Sequence, residues 1–349
     1  MTTYTDNTVT NGIPYHYSIQ AVNAGGATGS LSVSSFPTDC VALAIGLTFQ
    51  NQGTKSSGFA LSAIVADSDR VYWFDYDASL GNSGGAIRSI PKIGGAVTVV
   101  ASGLGGVNAF TVDASNVYWT EFDINSGDGS VKQVPKAGGV PITLATDFFP
   151  SGIAVDSTTI FYSGGGGPSS GTKAVPIGGG SVTNISVGAG SFPEASLVLD
   201  ADFIYGVGQG SARRILKTGG TVEVLATGLV NGFGATLDNS SLYWAELTAP
   251  GKIGKTSKTG GGATYLATGL LYPHNVALDS NFVYFDKGPP GNMPSQPSIA
   301  KVPLTGGTIA AATEPFCTGQ YVAVDATHVF MSVFGNEVAG DGRILRSGK

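Results

Sequence analysis

One short motif recurs seven times along the chain, at intervals that restrict the folds able to contain it. In each copy an aspartate is followed, after three further residues, by an apolar residue and then an aromatic residue. The aspartates are Asp67, Asp113, Asp156, Asp200, Asp238, Asp279 and Asp325, and successive copies lie 38 to 46 residues apart. Repeats of about forty residues that hold four short strands each are typical of propeller blades. The spacing therefore predicts an all-β fold, a seven-bladed β-propeller of four-stranded blades.

Each repeat divides into four strands by the same signals. The first strand ends at the aspartate, the second contains the aromatic residue, and the third runs into a pair of glycines. Glycine pairs between strands indicate tight hairpins, because such turns need positive φ. Six pairs occur: Gly94–Gly95, Gly138–Gly139, Gly178–Gly179, Gly219–Gly220, Gly260–Gly261 and Gly306–Gly307. We expect the repeated aspartate to cap its own turn rather than to bind a metal or act in catalysis.

The seventh repeat has no glycine pair after its third strand, which is Arg343–Arg346. The missing fourth strand has a candidate at the other end of the sequence, where Val41–Leu47 resembles the fourth strands of other repeats. We predict that residues 41–47 pair with the third strand near Arg343–Leu345. An N-terminal strand in that place would close the last blade and cover an open sheet edge.

Composition excludes some classes of function. The net charge is −6 and the chain has no basic cluster, so we expect no nucleic-acid partner. No apolar run is long enough to predict a membrane span. The sequence is glycine-rich, with 53 glycines, and the glycines fall between apolar strands as turns require. The first residues do not have the pattern of a signal peptide, and we expect the chain to be a fragment of a larger modular protein.

Two resemblances follow from particular residues. Tyr118-Trp119-Thr120-Glu121 resembles the signature of the YWTD and NHL group of propellers, and the likeness extends over residues 40–349. The alternation of Tyr15, Tyr17 and Ile19 with polar residues resembles the C-terminal part of a fibronectin type III domain. The resemblances imply a partial fibronectin-like segment at 1–36, a propeller at 37–349, and an extracellular or cell-surface location.

Candidate ligand-binding residues are predicted at the mouth of the central channel. In such propellers the loops that join blades share one face, the top face, with the loops between second and third strands. The position five residues before each repeated aspartate should lie near the mouth, and its polar occupants are Ser62, Asn108, Ser151, His274 and Gln320. The acidic candidates on this face are Asp75, Glu121, Glu194 and Glu246. The alternative is a solvated channel lining without a ligand.

The sequence favours a non-enzymatic binding or structural module that uses its top face, with an unknown protein or carbohydrate ligand. A lyase or hydrolase similar to the streptogramin lyases is the alternative, and it would need an acid and a base that converge on one substrate. His274 is the best-placed base, and Glu194 is its only evident acidic companion. A glycosidase pair of Glu121 and Glu246 is not favoured, because blades two and five lie too far apart.

No cofactor is predicted apart from a candidate calcium ion at one loop. Asp123, Asn125 and Asp128 resemble a calcium-binding loop, although Gly127 disturbs the spacing, and a polar loop without metal is the alternative. The two cysteines, Cys40 and Cys317, are predicted to be free thiols. If residues 308–312 form a five-residue strand, the two cysteines lie at opposite ends of the blades, roughly 17 Å apart. A disulfide tolerates a Cα separation of about 7 Å at most.

Overall fold

The computed structural model describes residues 15–23, 26–35, 40–47, 64–76, 84–123, 125–166, 169–187, 196–287, 299–313, 319, 321–333 and 342–349. Within these ranges the chain forms seven antiparallel sheets of four strands. The innermost strands of successive sheets contact one another around a central channel. The predicted fold, a seven-bladed β-propeller, is confirmed. No helix in the described ranges is both long enough and apolar enough to cross a membrane.

The strands follow the order predicted from the repeat. Before blade one in the sequence come β1 (Tyr15–Asn23), β2 (Gly26–Ser35) and β3 (Val41–Leu47), and β3 belongs to the sheet of blade seven. Blades one to four comprise β4 (Ile64–Ala66), β5 (Arg70–Tyr76), β6 (Gly85–Pro91), β7 (Thr98–Leu104); β8 (Gly106–Val112), β9 (Asn116–Phe122), β10 (Asp128–Pro135), β11 (Ile142–Phe148); β12 (Ile153–Val155), β13 (Thr159–Gly164), β14 (Gly171–Pro176), β15 (Thr183–Val187); β16 (Ser196–Leu199), β17 (Phe203–Val207), β18 (Gly210–Leu216), β19 (Glu223–Leu229). Blades five to seven comprise β20 (Gly232–Leu237), β21 (Ser241–Glu246), β22 (Gly251–Ser257), β23 (Thr264–Leu270); β24 (Val276–Leu278), β25 (Phe282–Asp286), β26 (Ile299–Pro303), β27 (Ala310–Ala311); β28 (Tyr321–Val324), β29 (His328–Val333), β30 (Gly342–Gly348).

Strands β1 and β2 form a two-stranded antiparallel sheet of their own. The fibronectin-like assignment of residues 1–36 and the domain boundary after residue 36 stay predictions. The glycine pairs lie at the hairpins between third and fourth strands, as expected, with one shift in register. In blade three the left-handed residues are Gly179 (φ 80°) and Gly180 (φ 139°), so the turn lies one residue later than the predicted Gly178–Gly179.

The hydrophobic core lies between blades, and the aromatic second strands form most of it. Trp73 packs against Leu43, Phe330 and Ile344 of blade seven, whereas its neighbour Tyr72 packs toward blade two. Alternate side chains of a strand point to opposite faces of the sheet. Because each blade is covered on both faces, adjacent positions must both be apolar, which explains the repeated apolar–aromatic sequence.

The ring closes as predicted. Strand β3 pairs antiparallel with β30, and Val41 lies opposite Arg346 while Ile45 lies opposite Arg343. The last blade is therefore completed by a strand from the N-terminal side of the propeller, and the order in its sheet is β28, β29, β30, β3. This pairing satisfies backbone groups of β30 that would otherwise form an open edge.

The repeated aspartate is a turn cap, as predicted. Asp67 Oδ1 accepts hydrogen bonds from the backbone N–H groups of Asp69 and Arg70 at 2.8 and 2.7 Å, and Oδ2 accepts one from the Tyr72 hydroxyl at 2.9 Å. The backbone bonds to residues two and three positions later recur at all seven aspartates. The carboxylate thus fixes the connection between first and second strands in every blade.

Five of these aspartates also bind a lysine from the next blade, a contact that the sequence analysis did not predict. In every pair the lysine is the residue immediately after the third strand of its blade. The pairs are Lys136–Asp67 (2.7 Å), Lys217–Asp156 (3.0 Å), Lys258–Asp200 (3.1 Å), Lys349–Asp279 (2.6 Å) and Lys92–Asp325 (2.9 Å). Blades three and six carry Ile177 and Leu304 at the lysine position, so Asp113 and Asp238 have no such partner. The pairs connect adjacent blades on the face opposite the top face, here called the turn face.

Acid should weaken the propeller at these pairs. Burial raises the pKa of Asp200, but backbone N–H groups, Tyr205 and Lys258 outweigh it and lower this pKa from 3.8 to about 2. Asp67, Asp279 and Asp325 also have a pKa of about 2. A carboxylate with a lowered folded pKa stabilises the fold above its unfolded pKa and loses that contribution as the pH falls toward the folded value. We expect the free energy of unfolding to decrease between pH 4 and pH 2.

Tryptophan fluorescence is the suitable measurement, because Trp73, Trp119 and Trp244 are all fully buried between blades. Lys258→Met should move the acid transition to higher pH, and Lys255→Met serves as a control, since Lys255 binds the Leu304 carbonyl instead of an aspartate. An acid transition that is the same in both variants would argue against the role of the ion pairs.

One prediction about the cysteines is wrong. Cys40 is disulfide-bonded, so the two cysteines are not the predicted pair of free thiols. The chain has only one other cysteine, Cys317, which lies outside the described residues. The prediction assumed that strand direction places the two cysteines a full strand length apart. Strand β27 contains only Ala310 and Ala311, although Ala312 still donates its N–H to the Ile299 carbonyl. Cys40 packs against the core cluster that contains Ile299 and Ala312, so the expected separation does not hold.

Candidate functional site

The first strands of all seven blades line the central channel. Its lining side chains are mostly apolar, but most of the surface that it exposes is polar, because each first strand is the inner edge of its sheet and presents backbone N–H and C=O groups. The channel encloses about 500 Å³, and valine, alanine, leucine and isoleucine make up most of the lining. The polar lining residues are Thr111, Ser196, Thr236 and Asn275, and none of the lining residues is charged. A ligand that enters the channel would therefore meet backbone polar groups between small apolar side chains, and no charged group among the lining residues.

The predicted mouth positions differ in what their side chains do. Asn108 is buried and donates from Nδ2 to the Pro150 carbonyl at 3.1 Å, in the linker to blade three. Ser151 is tied to the sheet through its backbone, since its carbonyl accepts a hydrogen bond from the Thr120 hydroxyl at 2.6 Å. Ser62, Glu194 and Gln320 lie outside the described residues. Ligand binding by these five residues stays a prediction.

The predicted acidic residues of three blades are each paired with a base on the next strand of their own blade. Asp75 accepts from Arg88 Nε at 2.7 Å. Glu121 binds Lys132 and also accepts from Trp119 Nε1 at 2.9 Å.

Glu246 is fully buried, accepts from the Tyr265 hydroxyl at 2.9 Å and lies 3.6 Å from Lys252 Nζ. The structure therefore does not bring Asp75, Glu121 and Glu246 together. Each belongs to the ion pair of a separate blade, and a ligand role for them stays a prediction.

His274 has an acidic partner that the sequence analysis missed. Asp286, at the end of β25, is fully buried. One of its carboxylate oxygens, Oδ1, accepts the backbone N–H of His274 at 2.8 Å, and the other, Oδ2, lies 2.8 Å from His274 Nδ1. Both oxygens are engaged by one residue, so the position and the tilt of the imidazole are fixed. The expected companion was Glu194, and the structure shows Asp286 in that role.

The imidazole is oriented with its second nitrogen available. A carboxylate beside Nδ1 favours the tautomer in which Nδ1 carries the proton, which leaves the Nε2 lone pair as an acceptor. The His274 side chain is 24% exposed, and no described residue forms a hydrogen bond with Nε2. Such an oriented nitrogen at a channel mouth can accept a proton or a hydrogen bond from a ligand.

Tyr321 completes the cluster from blade seven. Its ring centroid lies 5.3 Å from that of His274, and the residue is buried. Burial, together with the nearby charge of Asp286, raises the pKa of the Tyr321 hydroxyl. The pKa of Asp286 is itself raised by burial, against the opposing effect of His274. The cluster thus spans blades six and seven through the ring contact of His274 with Tyr321.

Comparison among the repeats shows that the fold does not require this carboxylate. Asp286 stands seven residues after its repeated aspartate, Asp279. The equivalent positions in the other blades hold Phe74, Thr120, Ser163, Val207, Ala245 and Ser332. Six neutral residues serve there, whereas burying a charge is costly unless it is paired. A scan of this position would have found Asp286, but the acidic residues considered were those at the next position.

The predicted calcium loop has a different local role in the structure. Asp123 Oδ1 accepts the backbone N–H groups of Asn125 and Ser126 at 2.8 and 3.2 Å. These bonds lower the pKa of Asp123. No group of three or more histidine, cysteine, aspartate or glutamate side chains in the described ranges is placed to hold a metal ion. Calcium binding by Asp123, Asn125 and Asp128 stays a prediction.

Comparisons with known proteins add similarities of structure only. No protein-family model and no curated protein matches this sequence. Among solved structures, a chain of the nidogen/laminin complex aligns with a TM-score of 0.48 and 16% identity, over 75% of this chain and 94% of that chain.

TolB from Acinetobacter baumannii aligns with a TM-score of 0.48 and 12% identity, over 71% and 67% of the two chains. A putative TolB from Agrobacterium tumefaciens aligns with 0.46 and 13%, over 62% and 83%. We take no function from these similarities.

Proposed function

We propose that this chain is a binding module that holds its ligand on the top face of the propeller, with His274 Nε2 as the central polar contact. The observation that supports the proposal is the buried carboxylate of Asp286, which the other blades do without and which serves to orient one imidazole. A ligand site commonly combines an apolar cavity with a few fixed polar groups. The channel supplies a cavity lined by aliphatic side chains and backbone polar groups, and the His274–Asp286 pair supplies a fixed polar group.

The ligand class is a protein or a carbohydrate, and the location is extracellular or at the cell surface. The disulfide at Cys40 supports an oxidising compartment, because disulfides persist in exported proteins and are rare in the cytosol. The kinship with YWTD and NHL propellers and the fibronectin-like segment belong to the same proposal, since modules of this kind occur in larger exported proteins.

The test compares ligand binding by the natural chain with binding by His274→Gln and Asp286→Ser. The chain is screened against immobilised glycans and extracellular-matrix proteins. We expect both variants to lose at least about tenfold in affinity for any ligand found, since an oriented hydrogen bond to a charged pair is worth about 1.5–3 kcal/mol. The control is Val224→Ser, which changes a 55% exposed residue away from the mouth. A ligand bound equally by all four proteins would place the site elsewhere.

A second candidate is acid–base catalysis by the same pair, as in a lyase or hydrolase. The specific observation in its favour is the 2.8 Å contact between His274 and Asp286, the compact pair that such chemistry needs. His274 would accept a proton from the substrate at Nε2, and Asp286 would hold the ring in place. Turnover of an ester or lactone that disappears in His274→Gln, with folding unchanged, would favour catalysis over binding alone. Turnover retained in that variant would exclude it.

A further inference from the structure

Blade two exposes an aromatic side chain at a position that other blades bury. In blades one, four and five the last residue of the fourth strand is a leucine, only 3% to 5% exposed, and a left-handed glycine precedes it; the pairs are Gly103–Leu104, Gly228–Leu229 and Gly269–Leu270. Blade two has Asp147 and Phe148 at these two positions, and Phe148 is 40% exposed. The fold therefore does not require an exposed ring there.

The missing glycine explains the exposure of Phe148. In blades one, four and five the glycine is an extra, unpaired residue, a β-bulge, which turns the next side chain to the buried face of the sheet. In blade two Asp147 pairs with Gly129, and the strand continues in regular register to Phe148. The Asp147 carboxylate binds Lys173 Nζ of blade three at 2.6 and 2.8 Å. This ion pair fixes the end of β11 against blade three.

Phe148 belongs to a packed group of three phenylalanines on the top face. The ring centroids of Phe148 and Phe149 lie 4.4 Å apart, those of Phe149 and Phe122 lie 5.1 Å apart, and both pairs meet edge to face. We call Phe122, Phe148 and Phe149 the phenylalanine cluster. The rings rest on the loop between β9 and β10, because a side chain at Gly127 would collide with Phe148 and Phe149. Phe149 is 39% exposed, so two rings of the cluster are accessible to a partner.

The backbone of Phe149 is strained. Its φ is 45°, in the left-handed region that bulky residues rarely adopt. A hydrogen bond of 2.8 Å from its N–H to the Gly127 carbonyl holds this conformation. Strained residues are concentrated at sites of binding or catalysis. Strain at an exposed ring, beside a second ring that the other blades bury, indicates a binding site.

The charge around the cluster indicates what kind of ligand it fits. Asp128 lies directly opposite Phe148 in the β10–β11 pair, so the two side chains share one face of the sheet, about 5 Å apart at Cβ. Asp123, at the start of the same loop, is exposed, as is Asp128. Residues 122–130 and 147–151 include no lysine or arginine. Aromatic faces and carboxylates both attract cations, and guanidinium groups are the cations found most often over aromatic rings.

We propose that the phenylalanine cluster, together with Asp123 and Asp128, binds an arginine-containing basic segment of a partner protein. Guanidinium groups stack on Phe148 and Phe149 and pair with the two carboxylates. The net charge of −6 favours the approach of such a partner. A neutral glycan would gain little from the negative charge, and an apolar peptide would be penalised for burying it. The cluster lies in blade two and is separate from His274 of blade six.

Fluorescence anisotropy tests the proposal, with the full chain titrated into a fluorescein-labelled peptide of alternating arginine and serine. Low salt keeps the charge attraction weakly screened, and EDTA prevents calcium from neutralising the loop. We expect this peptide to bind, and a peptide with neutral citrulline in place of arginine not to bind. Phe148→Leu/Phe149→Leu should raise the Kd at least about fivefold, the loss expected for two exposed cation–π contacts. Asp123→Asn/Asp128→Asn, which removes the charge and keeps the rings, should also raise the Kd.

The matched control is Asp69→Asn/Asp202→Asn, which removes the same charge from exposed residues of the turn face and should bind the peptide as the natural chain does. Melting curves confirm that the variants fold. A natural chain that does not bind the arginine peptide, a leucine variant that binds it equally well, or a control that loses as much affinity would each overturn the proposal. A neutral glycan that binds in place of the peptide and is lost in the leucine variant would assign the cluster to carbohydrate instead. None of these results depends on the site at His274.

Discussion

Replacing Cys40 by serine is expected to lower the free energy of unfolding by about 2–5 kcal/mol, the usual cost of removing a native disulfide. Cys40 directly precedes β3, the strand that closes the ring on β30, and it packs against the core between blades six and seven. The bond limits how far β3 can separate from the ring in the native state and restricts the unfolded chain over a long loop. Both effects are lost in the variant.

Denaturant unfolding measures the effect, and the natural chain in excess dithiol should reproduce the curve of the Cys40→Ser variant. The matched control is Cys317→Ser, which removes the other cysteine and should be as unstable. Thiol titration of the unfolded natural chain without reductant should detect no reactive group. Two titratable thiols, or a Cys40→Ser variant as stable as the natural chain, would show that the ring closes without a covalent bond.

The seven-fold repeat made the architecture predictable from sequence. A turn cap such as Asp67 is read from a local pattern, because its acceptors are backbone groups two and three residues away. The closure by β3 was predictable for a similar reason, because a third strand without a fourth would leave backbone N–H and C=O groups without hydrogen-bond partners. Both predictions rest on interactions that every blade repeats.

Interactions that occur in only one blade could not be predicted from the repeat in the same way. His274 and Asp286 lie twelve residues apart on either side of a turn, and only the sheet brings them to 2.8 Å. Glu194 was the evident acidic residue on the top face, whereas Asp286 stands at the end of β25, where the sequence does not show that it meets His274. The prediction about Cys40 failed for a similar reason, because strand direction does not show which residues of adjacent blades pack together, and Cys40 packs against the cluster that contains Ala312.

The inter-blade lysines show an intermediate case. Their regular spacing was visible, but a spacing alone does not reveal that Lys136 reaches back to Asp67 of the preceding blade. Sequence periodicity gives the position of a residue within its own repeat. The contact between repeats depends on how one blade is rotated against the next, which appears only in the structure.

The largest effect at the candidate site is expected from His274→Ala, which should lower the free energy of unfolding by about 3–5 kcal/mol at neutral pH. Removing a hydrogen-bond donor to a buried carboxylate leaves that carboxylate incompletely paired, and costs of this size are typical. Asp286 is fully buried, and the His274 imidazole supplies the hydrogen bond to its Oδ2, whereas the backbone N–H that binds Oδ1 is kept in the variant. Asp286→Ser, in contrast, should stay within about 1 kcal/mol of the natural chain, because replacing a buried charge by a residue that suits the site is often neutral. Ser163 and Ser332 already occupy the equivalent position in blades three and seven.

The pH dependence distinguishes this electrostatic cost from a loss of packing. Burial raises the pKa of Asp286 above 3.8, and without His274 it should rise further. A group whose folded pKa is raised destabilises the fold as the pH rises through that value, because the unfolded chain has already released its proton. The deficit of His274→Ala should therefore be small near pH 4 and grow toward pH 7, as measured by urea unfolding at each pH. The double variant His274→Ala/Asp286→Ser should recover most of the stability at neutral pH, because it contains no carboxylate to leave unpaired. A deficit that is independent of pH and persists in the double variant would show that His274 acts through packing and that Asp286 is not held as a charge.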